Sequence, residues 1–585
     1  MTKKVTVILS ILFSAFLFTE VSAQSAPNVY FTGVGRAVVA SSGLSDNTQN
    51  PNPSLPPPGK QKSSAGYTLF DLGIYAKPNE VLRGGVILRT KNEFGGFYGD
   101  GGALTFRQMQ LEGLISKKVK YEIGDVYLTH TKYTLWAGDS LENKYEGKLF
   151  SMRRDIVNYE NFYVGNAWRM QGINAKGKIN FSKGVESLGI RFYGGRTKQT
   201  PDFMTIPDRY FYGGRLDLMQ SKYFRIAGNI ASVSDMSGTV KNPAFVYSNI
   251  VYTSDFDFTV DGDKIKIGIN GEFGSSNLQV KRTIDTTNKK FSDYFYDLGA
   301  KATYKPINFT LAASYRNVGA NFNSPMAQSR RMAAPSDVKL SNFPTSNNGG
   351  AARQISLFDM YSQEQNMYNQ SISTTLMNYY IQYNIVEPYG RATPNRQGIT
   401  IDADVKDQKG IFTGSVDVNL LTEVVSQGDS LTHAKRKFTL IRGGGVFNLS
   451  KLLEYEKLIA INFGVKTESS VRGGSNPVNL ASSLIDLGLD VEVLNSLHLL
   501  GGAKFFNVKG NEIQTQRDAF NQISGYGTGV QFNQTQNIIA TGVRYDYDKT
   551  GYFSIHYHIV KLNDKLTPSG TYNLNQLFFV FGLKF

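Results

Sequence analysis

Read back from its end, the stretch Asn573–Phe585 (NLNQLFFVFGLKF) places Phe585, Leu583, Phe581, Phe579 and Leu577 on one face of a strand. Lys584, Gly582, Val580, Phe578 and Gln576 fall on the other. A period of two with one large, wholly apolar face is the mark of a half-buried strand. The same rule recurs upstream. Asp263–Phe273 sets Ile265, Ile267, Ile269 and Phe273 against Lys264, Lys266, Asn270 and Glu272. Tyr294–Tyr304, Ile307–Tyr315, Ile399–Val405 and Gly410–Leu420 repeat it, with Asp402, Asp404, Asp417 and Asn419 on polar faces. So many strands, each needing an apolar environment on one side, confine the chain to a membrane barrel or a large soluble all-β protein such as a propeller.

The connections narrow the choice. Short links such as Lys77–Glu80, Ser182–Gly184, Asp261–Gly262, Lys305–Pro306, Val493–Asn495 and Asp548–Gly551 carry the Gly, Pro, Asn and Asp chemistry of tight turns. They alternate with long links near 40–66, 129–167, 197–208, 274–293, 319–397, 468–481 and 509–535. Starting at Val29 and ending at Phe585, up-down pairing predicts about 22 strands with both ends on the side of the short turns. The number drops to 18 or 20 if the irregular stretches at Val29–Val39, Asp125 and Arg169–Gly172 do not pair. A propeller would repeat in blades of about 40–50 residues, and no such repeat is present.

Export is written at the other end. Lys3 and Lys4 precede an apolar run, Val5–Phe18, and Val21-Ser22-Ala23 offers a small-residue cleavage site before Gln24. That run is shorter than the roughly 20 residues a spanning helix needs, and no later stretch approaches it. The expectation is a removed signal, residues 1–23, and one barrel domain, residues 24–585. With no Cys, the chain has no disulfide, no thiol chemistry and no lipid anchor through a terminal cysteine. The 33 Tyr, 38 Phe and 58 Gly fit strands of which only one face meets lipid.

A closing strand with an apolar outer face and a terminal Phe, an export signal, and short turns opposite long loops together resemble the bacterial outer-membrane β-barrel proteins. The resemblance is to that class. It implies an all-β, antiparallel up-and-down transmembrane barrel with periplasmic turns and extracellular loops, and it assigns Phe585 to recognition by the outer-membrane assembly machinery. TonB-dependent transporters have a similar strand number but carry an N-terminal plug of more than about a hundred residues. Assembly and two-partner-secretion barrels carry preceding periplasmic domains. Here the first strand is expected close behind Gln24, so the resemblance is to a transporter-sized barrel without a plug.

Candidate functional residues lie in two places. On the inward faces of the expected strands six to eleven are Lys176, Lys178, Arg191, Arg215, Arg225, Lys264 and Lys266, and on strands fourteen and fifteen Asp402, Asp404 and Asp417. One reading is a basic wall that favours anions. The other is ordinary pairing between neighbours, for example Lys264 and Lys266 against Asp255 and Asp257.

The second place is the link 319–397, far longer than an ordinary connection. It carries Arg330, Arg331, Phe358, Tyr361, Tyr379, Tyr380, Arg391 and Arg396, with enough apolar surface to pack and with helices expected near 356–364 and 371–380. It is expected to fold into or over the barrel mouth; the alternatives are a floppy surface loop and an exposed partner-binding lobe. The stretch 129–167, with Trp136 and Asn158–Tyr163, is expected to be ordered by its aromatics and to rest on that longer loop. The Pro-rich stretch Asn50–Gly59 reads as a mobile tip.

The formal charge of +15 becomes +14 once Lys3, Lys4 and Glu20 leave with the signal (15 − 2 + 1). It points to anionic neighbours: lipopolysaccharide phosphates in the outer-membrane lipid, anionic solutes or acidic envelope proteins. Nucleic acid is excluded for an exported barrel. His556 and His558 sit two apart on one strand, but no third ligand accompanies them, so no metal site is assigned. No nucleophile elbow, zinc-protease motif or phosphate-binding loop occurs, so no enzyme activity and no cofactor are expected. Two functions fit: a porin-like channel narrowed by the 319–397 loop, or a non-conducting accessory barrel that holds partners in a larger transport, secretion or assembly complex.

Overall fold

A computed structural model describes residues 28–45, 61–94, 102–139, 143–161, 164–198, 206–333, 352–354, 368–369, 376, 379, 381–429, 431–513, 515–518, 523–526, 529–566 and 571–585. The export signal, the Pro-rich tip Asn50–Gly59, and Phe358, Tyr361 and Tyr380 lie outside the described residues, as does nearly all of the two helices expected in the long loop.

The first eleven wall strands are β1 (Asn28–Ser45), β2 (Gln61–Asn79), β3 (Leu82–Glu93), β4 (Gly102–Ile115), β5 (Val119–Leu128), β6 (Trp168–Asn180), β7 (Ser187–Lys198), β8 (Asp208–Met219), β9 (Phe224–Met236), β10 (Phe245–Asp261) and β11 (Ile265–Arg282). The rest are β12 (Asn288–Tyr304), β13 (Phe309–Val318), β14 (Arg396–Lys406), β15 (Phe412–Thr422), β16 (Lys437–Asn448), β17 (Ile459–Arg472), β18 (Val478–Leu494), β19 (Leu497–Glu512), β20 (Val530–Asp546), β21 (Gly551–Asp564) and β22 (Tyr572–Lys584). Each pairs antiparallel with the next, and β1 pairs with β22, so the 22-stranded sheet closes on itself. The irregular stretches pair after all: Val34 lies opposite Lys584, and Asp125 opposite Gln171.

Closure is finished by Phe585. Its carbonyl accepts from Gly33 N (2.8 Å), and its own N donates to Gly33 O (3.1 Å). The Phe585 ring lies across Gly33, where a Cβ would come within 2.0 Å of it, and stacks on Phe70 at 5.9 Å.

Around the wall the outward positions are large and apolar. Ile267 and Ile269 on β11 are exposed, as are Leu298 on β12, Leu311 on β13, Ile485 and Leu487 on β18, and Phe579 and Phe581 on β22. Exposed aromatics stand near both ends of this band. On β12 they are Tyr294 and Tyr304, ten residues apart. At about 3.4 Å per residue and a tilt of about 40–45°, that spacing is a height of roughly 25 Å, the apolar height of a transmembrane barrel. A closed sheet leaves no unpaired edge in that layer.

Above the band, towards the loops, the alternation continues with its sign reversed. On β18 the outward residues change from Leu489, Leu487 and Ile485 to Ser483, Ala481 and Asn479, while the inward ones change from Asp490 and Asp486 to Leu484, Leu480 and Val478. On β19, Phe505 gives way outside to Asn507 and Lys509, and Lys504 gives way inside to Phe506 and Val508. On β11, Phe273 is followed outside by Ser275, Asn277 and Gln279, and inside by Leu278 and Val280.

This collar corrects three expected loops. The links read at 274–293 and 468–481 are largely strand and the link 509–535 is wall strand at both its ends, so the connections shrink to 283–287, 473–477 and 513–529. The apolar-outward pattern stops there because the surroundings change from lipid to water, not because the strands stop.

Candidate functional site

A barrel of 22 strands spaced about 4.8 Å and tilted about 40° is roughly 45 Å across between backbones, too wide for wall side chains to fill. Chain from the loops occupies it. The segment 129–167 carries helix α1 (Lys148–Glu160) and bonds to inward side chains on many sides of the wall. Thr131 Oγ1 donates to Glu272 of β11 (2.7 Å), and Tyr133 OH to Asp297 of β12 (2.8 Å). Lys144 meets Asp404 of β14 (3.0 Å), and Glu146 accepts from Lys504 of β19 (2.6 Å). At the far end of α1, Tyr159 OH donates to Asp71 of β2 (2.5 Å), its carbonyl accepts from Arg107 of β4 (2.8 Å), and Glu160 accepts from Arg36 of β1 (2.8 Å). One short segment can reach the inward faces of all these strands only from inside the closed sheet, so it is a strap across the lumen.

Leu149, Phe150, Met152, Ile156 and Val157 are buried. Leu149, Phe150, Met152 and Val157 belong to one buried apolar cluster with inner-wall residues Leu500, at the height of the band, and Leu480, Phe506 and Val508, in the collar. The helix enters at Gly147, which touches Gly488 of β18 backbone to backbone; a Cβ on Gly488 would meet Gly147 Cα at 2.4 Å. The strap's charges are paired. Arg154 bridges Asp139 (2.6 Å) and Glu146 (2.8 Å). Burial presses the Glu146 carboxyl up, but Arg154 and Lys504 outweigh it and hold it down to about 2.

The long loop adds two described pieces. Residues 322–330 are buried against the strap: Met326 O accepts from Trp136 N (2.9 Å) and Trp168 Nε1 (2.7 Å), and Ser324 Oγ donates to Tyr133 O (2.7 Å). Arg330 donates to Asn158 Oδ1 (3.0 Å) and to the Gly165 carbonyl. Residues 381–396 run along the wall. Tyr383 O accepts from Lys466 (3.0 Å), and Glu387 takes the Arg316 guanidinium. Burial pushes the Glu387 carboxyl up, but Arg316, Arg391 and Arg442 bring it to about 2. Arg391 donates to Thr400 (2.5 Å) and lies 3.9 Å from Asp402. Arg396 sits over the Phe438 ring at 3.6 Å, and Tyr379 meets Tyr389 edge-on at 5.5 Å. Arg331 lies in a short strand, Arg331–Ala333, whose side chains are outside the described residues.

The wall candidates fall into two groups. Arg215 pairs with Asp255 (2.8 Å) and Asp217 (3.0 Å), and Arg225 with the same two carboxylates at 2.9 Å each. Arg191 donates to Asn174 (2.9 Å) and to the Thr129 carbonyl (3.3 Å). Asp417 takes Arg442 (3.0 Å) and stands opposite Asp402 in the register. By contrast, Lys176, Lys178, Lys264 and Lys266, towards the turn end, are exposed and make no ion pair among the described residues. The arginines are thus paired locally and the lysines are not.

Two cavities lie between the described parts of the strap and the wall. One, of about 310 Å³, lies among Lys144, Asp402, Asp404, Asp417, Arg442 and Asp486. The other, of about 490 Å³, lies among Lys132, Arg225, Glu272, Asp297, Lys301 and Arg391. Asp402 lines both.

Sequence reasoning placed the filling of the lumen in 319–397 and missed the strap. Its signal was present: Leu149, Met152, Ile156, Val157 and Glu160 recur at helical spacing in a stretch otherwise read as a loop.

No protein-family model matches the sequence, and no curated protein does. Solved structures similar to it include OccK5 of Pseudomonas aeruginosa, 9% identical, covering 95% of this chain and 98% of that one with a TM-score of 0.33. A BenF-like porin from Pseudomonas fluorescens Pf-5 is 10% identical, with 95% and 99% covered and a TM-score of 0.33. The ferric citrate transporter FecA is 9% identical, with 95% and 78% covered and a TM-score of 0.45. Likeness at this level says nothing of solute or partner.

Proposed function

We propose that this protein is a porin-like channel of the bacterial outer membrane, with its lumen narrowed by the strap 129–167 and the inward pieces of the 319–397 loop. The observation that carries this is the pair of cavities beside the strap. They are lined by charged side chains from strap and wall, in a barrel whose outer face is apolar. A water-filled, polar path inside an apolar cylinder is what passage of small hydrophilic solutes requires.

Narrowing leaves selectivity to a few side chains. Asp402 faces both cavities, with Arg391 and Lys144 on the chain that crosses them, so passing solutes meet both signs of charge within a short distance. The four lysines at the turn end add a basic exit.

Planar-bilayer recording tests this. The intact protein should give a small conductance. Replacing 139–166, or Ser324–Arg391, by a short Gly-Ser link should raise it several-fold. A large conductance in the intact protein would sink the narrowing. Zero conductance in every form would sink the channel and leave the partner-binding accessory barrel as the better reading.

A further inference from the structure

The outer wall of the collar holds a surface that passage of solutes does not use. On β17–β19, three successive outward rows are in register. The lowest, Val465, Ile485 and Phe505, is apolar. The next is Thr467, Ser483 and Asn507, continued by Thr535 on β20. The third is Ser469, Ala481 and Lys509, with Thr439 beside Ser469. Lipid-facing wall therefore becomes hydroxyl- and amide-bearing wall within one step of two residues.

That step holds a groove of about 310 Å³ lined outside by Thr439, Thr467, Ser469, Ser483, Asn507 and Lys509, and also by Glu468, whose side chain is buried on the inner face with Lys466 at 2.9 Å. Lys561 stands two strands further round, in the row of Phe505 and Asn537. Charge is segregated across this wall. Lys437, Lys509 and Lys561 point outward, and the carboxylates at this height, Glu468 and Glu512, point inward and are buried. Among the described strand residues of β16–β22 above the apolar band, no outward carboxylate occurs. Lys509 and Lys561 make no ion pair among the described residues.

We infer that this groove holds the head of a phosphorylated glycolipid of the outer leaflet. Three features select that occupant. The groove begins where the apolar band ends, so its ligand needs tails along Val465, Ile485 and Phe505 and a polar head directly above them. The lining offers many hydroxyl and amide groups and no aromatic ring, which suits the hydroxyls of a sugar. The outward cations, with Glu468 turned inward and neutralised by Lys466, suit phosphate. A glycerophospholipid carries the phosphate but not the sugar hydroxyls that the two polar rows would meet.

The inference rests on the membrane placement proposed above and not on conduction. The test is native mass spectrometry of the full-length protein, purified in detergent and incubated with deep-rough lipopolysaccharide or with phosphatidylglycerol. The wild type should retain the glycolipid selectively. Lys509→Glu with Lys561→Glu should cut retention by about tenfold or more, with heat-modifiability unchanged. Lys281→Glu with Lys290→Glu, on the collar of β11 and β12 away from the groove, should leave retention near wild type. Equal retention of the two lipids, full retention by the Lys509/Lys561 variant, or an equal loss in the Lys281/Lys290 variant would each overturn the inference. Protein that fails to insert into vesicles at all would instead sink the membrane placement.

Discussion

Phe505 and Phe506 are neighbours in one strand and live in opposite worlds. Phe505 is the last lipid-facing residue of β19, while Phe506 is buried in an interior cluster and packs against Tyr383 of the long loop, their rings 5.0 Å apart. On β18 and β19 the outward face is apolar below this level and polar above it, while the inward face passes from Asp486 and Lys504 to Leu480, Phe506 and Val508. The backbone does not change at the boundary. What changes is which side holds water, and the side-chain alternation follows it.

The contrast can be broken at several levels. The largest effect should come from Phe506→Ala, which leaves a cavity in packed protein and should cost about 3–5 kcal/mol. Phe505→Ala should cost clearly less, because lipid chains fill the space. Urea denaturation in lipid vesicles, followed by gel shift of the heat-modifiable form, compares the two. Next, Ile267→Arg in mid-band should cost about 2–4 kcal/mol, while Asn270→Arg, three residues on but facing the lumen, should be mild. Equal costs would dissolve the assignment of faces.

A smaller effect is expected from Gly488→Leu. The added side chain displaces Gly147 and lifts α1 from the wall, at about 1–3 kcal/mol, with little change in the barrel itself. The chain has only two tryptophans, Trp136 and Trp168, both bonded to Met326 where strap and long loop meet, so their fluorescence reports the release.

Acid should loosen the same contact. Glu146 is held at about 2 in the folded protein, against about 4.3 for a free glutamate. Its contribution is therefore complete above the free value and lost as pH falls through about 2, so the tryptophan signal should shift between those limits. Glu146→Gln should show the shift already at neutral pH. The smallest effect belongs to Asn507→Arg, outward in the collar, which should stay within about 0.5 kcal/mol.

Much of the band was legible because lipid imposes one rule on every strand that crosses it. Ile265, Ile267 and Ile269 announce their face without any knowledge of neighbours, and turns such as Asp261–Gly262 are local chemistry. The collar was not legible by the same rule. Leu278 and Val280 read as a break in the pattern only when apolar is taken to mean outward.

The strap was hidden for a different reason. Its meaning lies in partners far along the chain, Lys504 for Glu146 and Arg36 for Glu160, and nothing in a local window names them. The charged wall positions show the same limit. Arg215 and Arg225 stand out as lumen cations, yet their neutralisation by Asp217 and Asp255 depends on register across β8, β9 and β10.

The position of the strap also bears on the order in which the molecule can be put together. Joining β1 to β22 brings the two ends of the barrel sequence into contact, the longest closure in the chain and entropically the most expensive. Helix α1 is made early, and it already lies against β1, β2 and β4 through Glu160, Tyr159 and their partners. Its other end presents Glu146 and Phe150 to strands made late. Once it is seated on the first strands, the last ones need find only a nearby docked surface and not a distant free edge. A segment that obstructs the finished pore is thus, during assembly, a mandrel on which the cylinder can be wrapped shut.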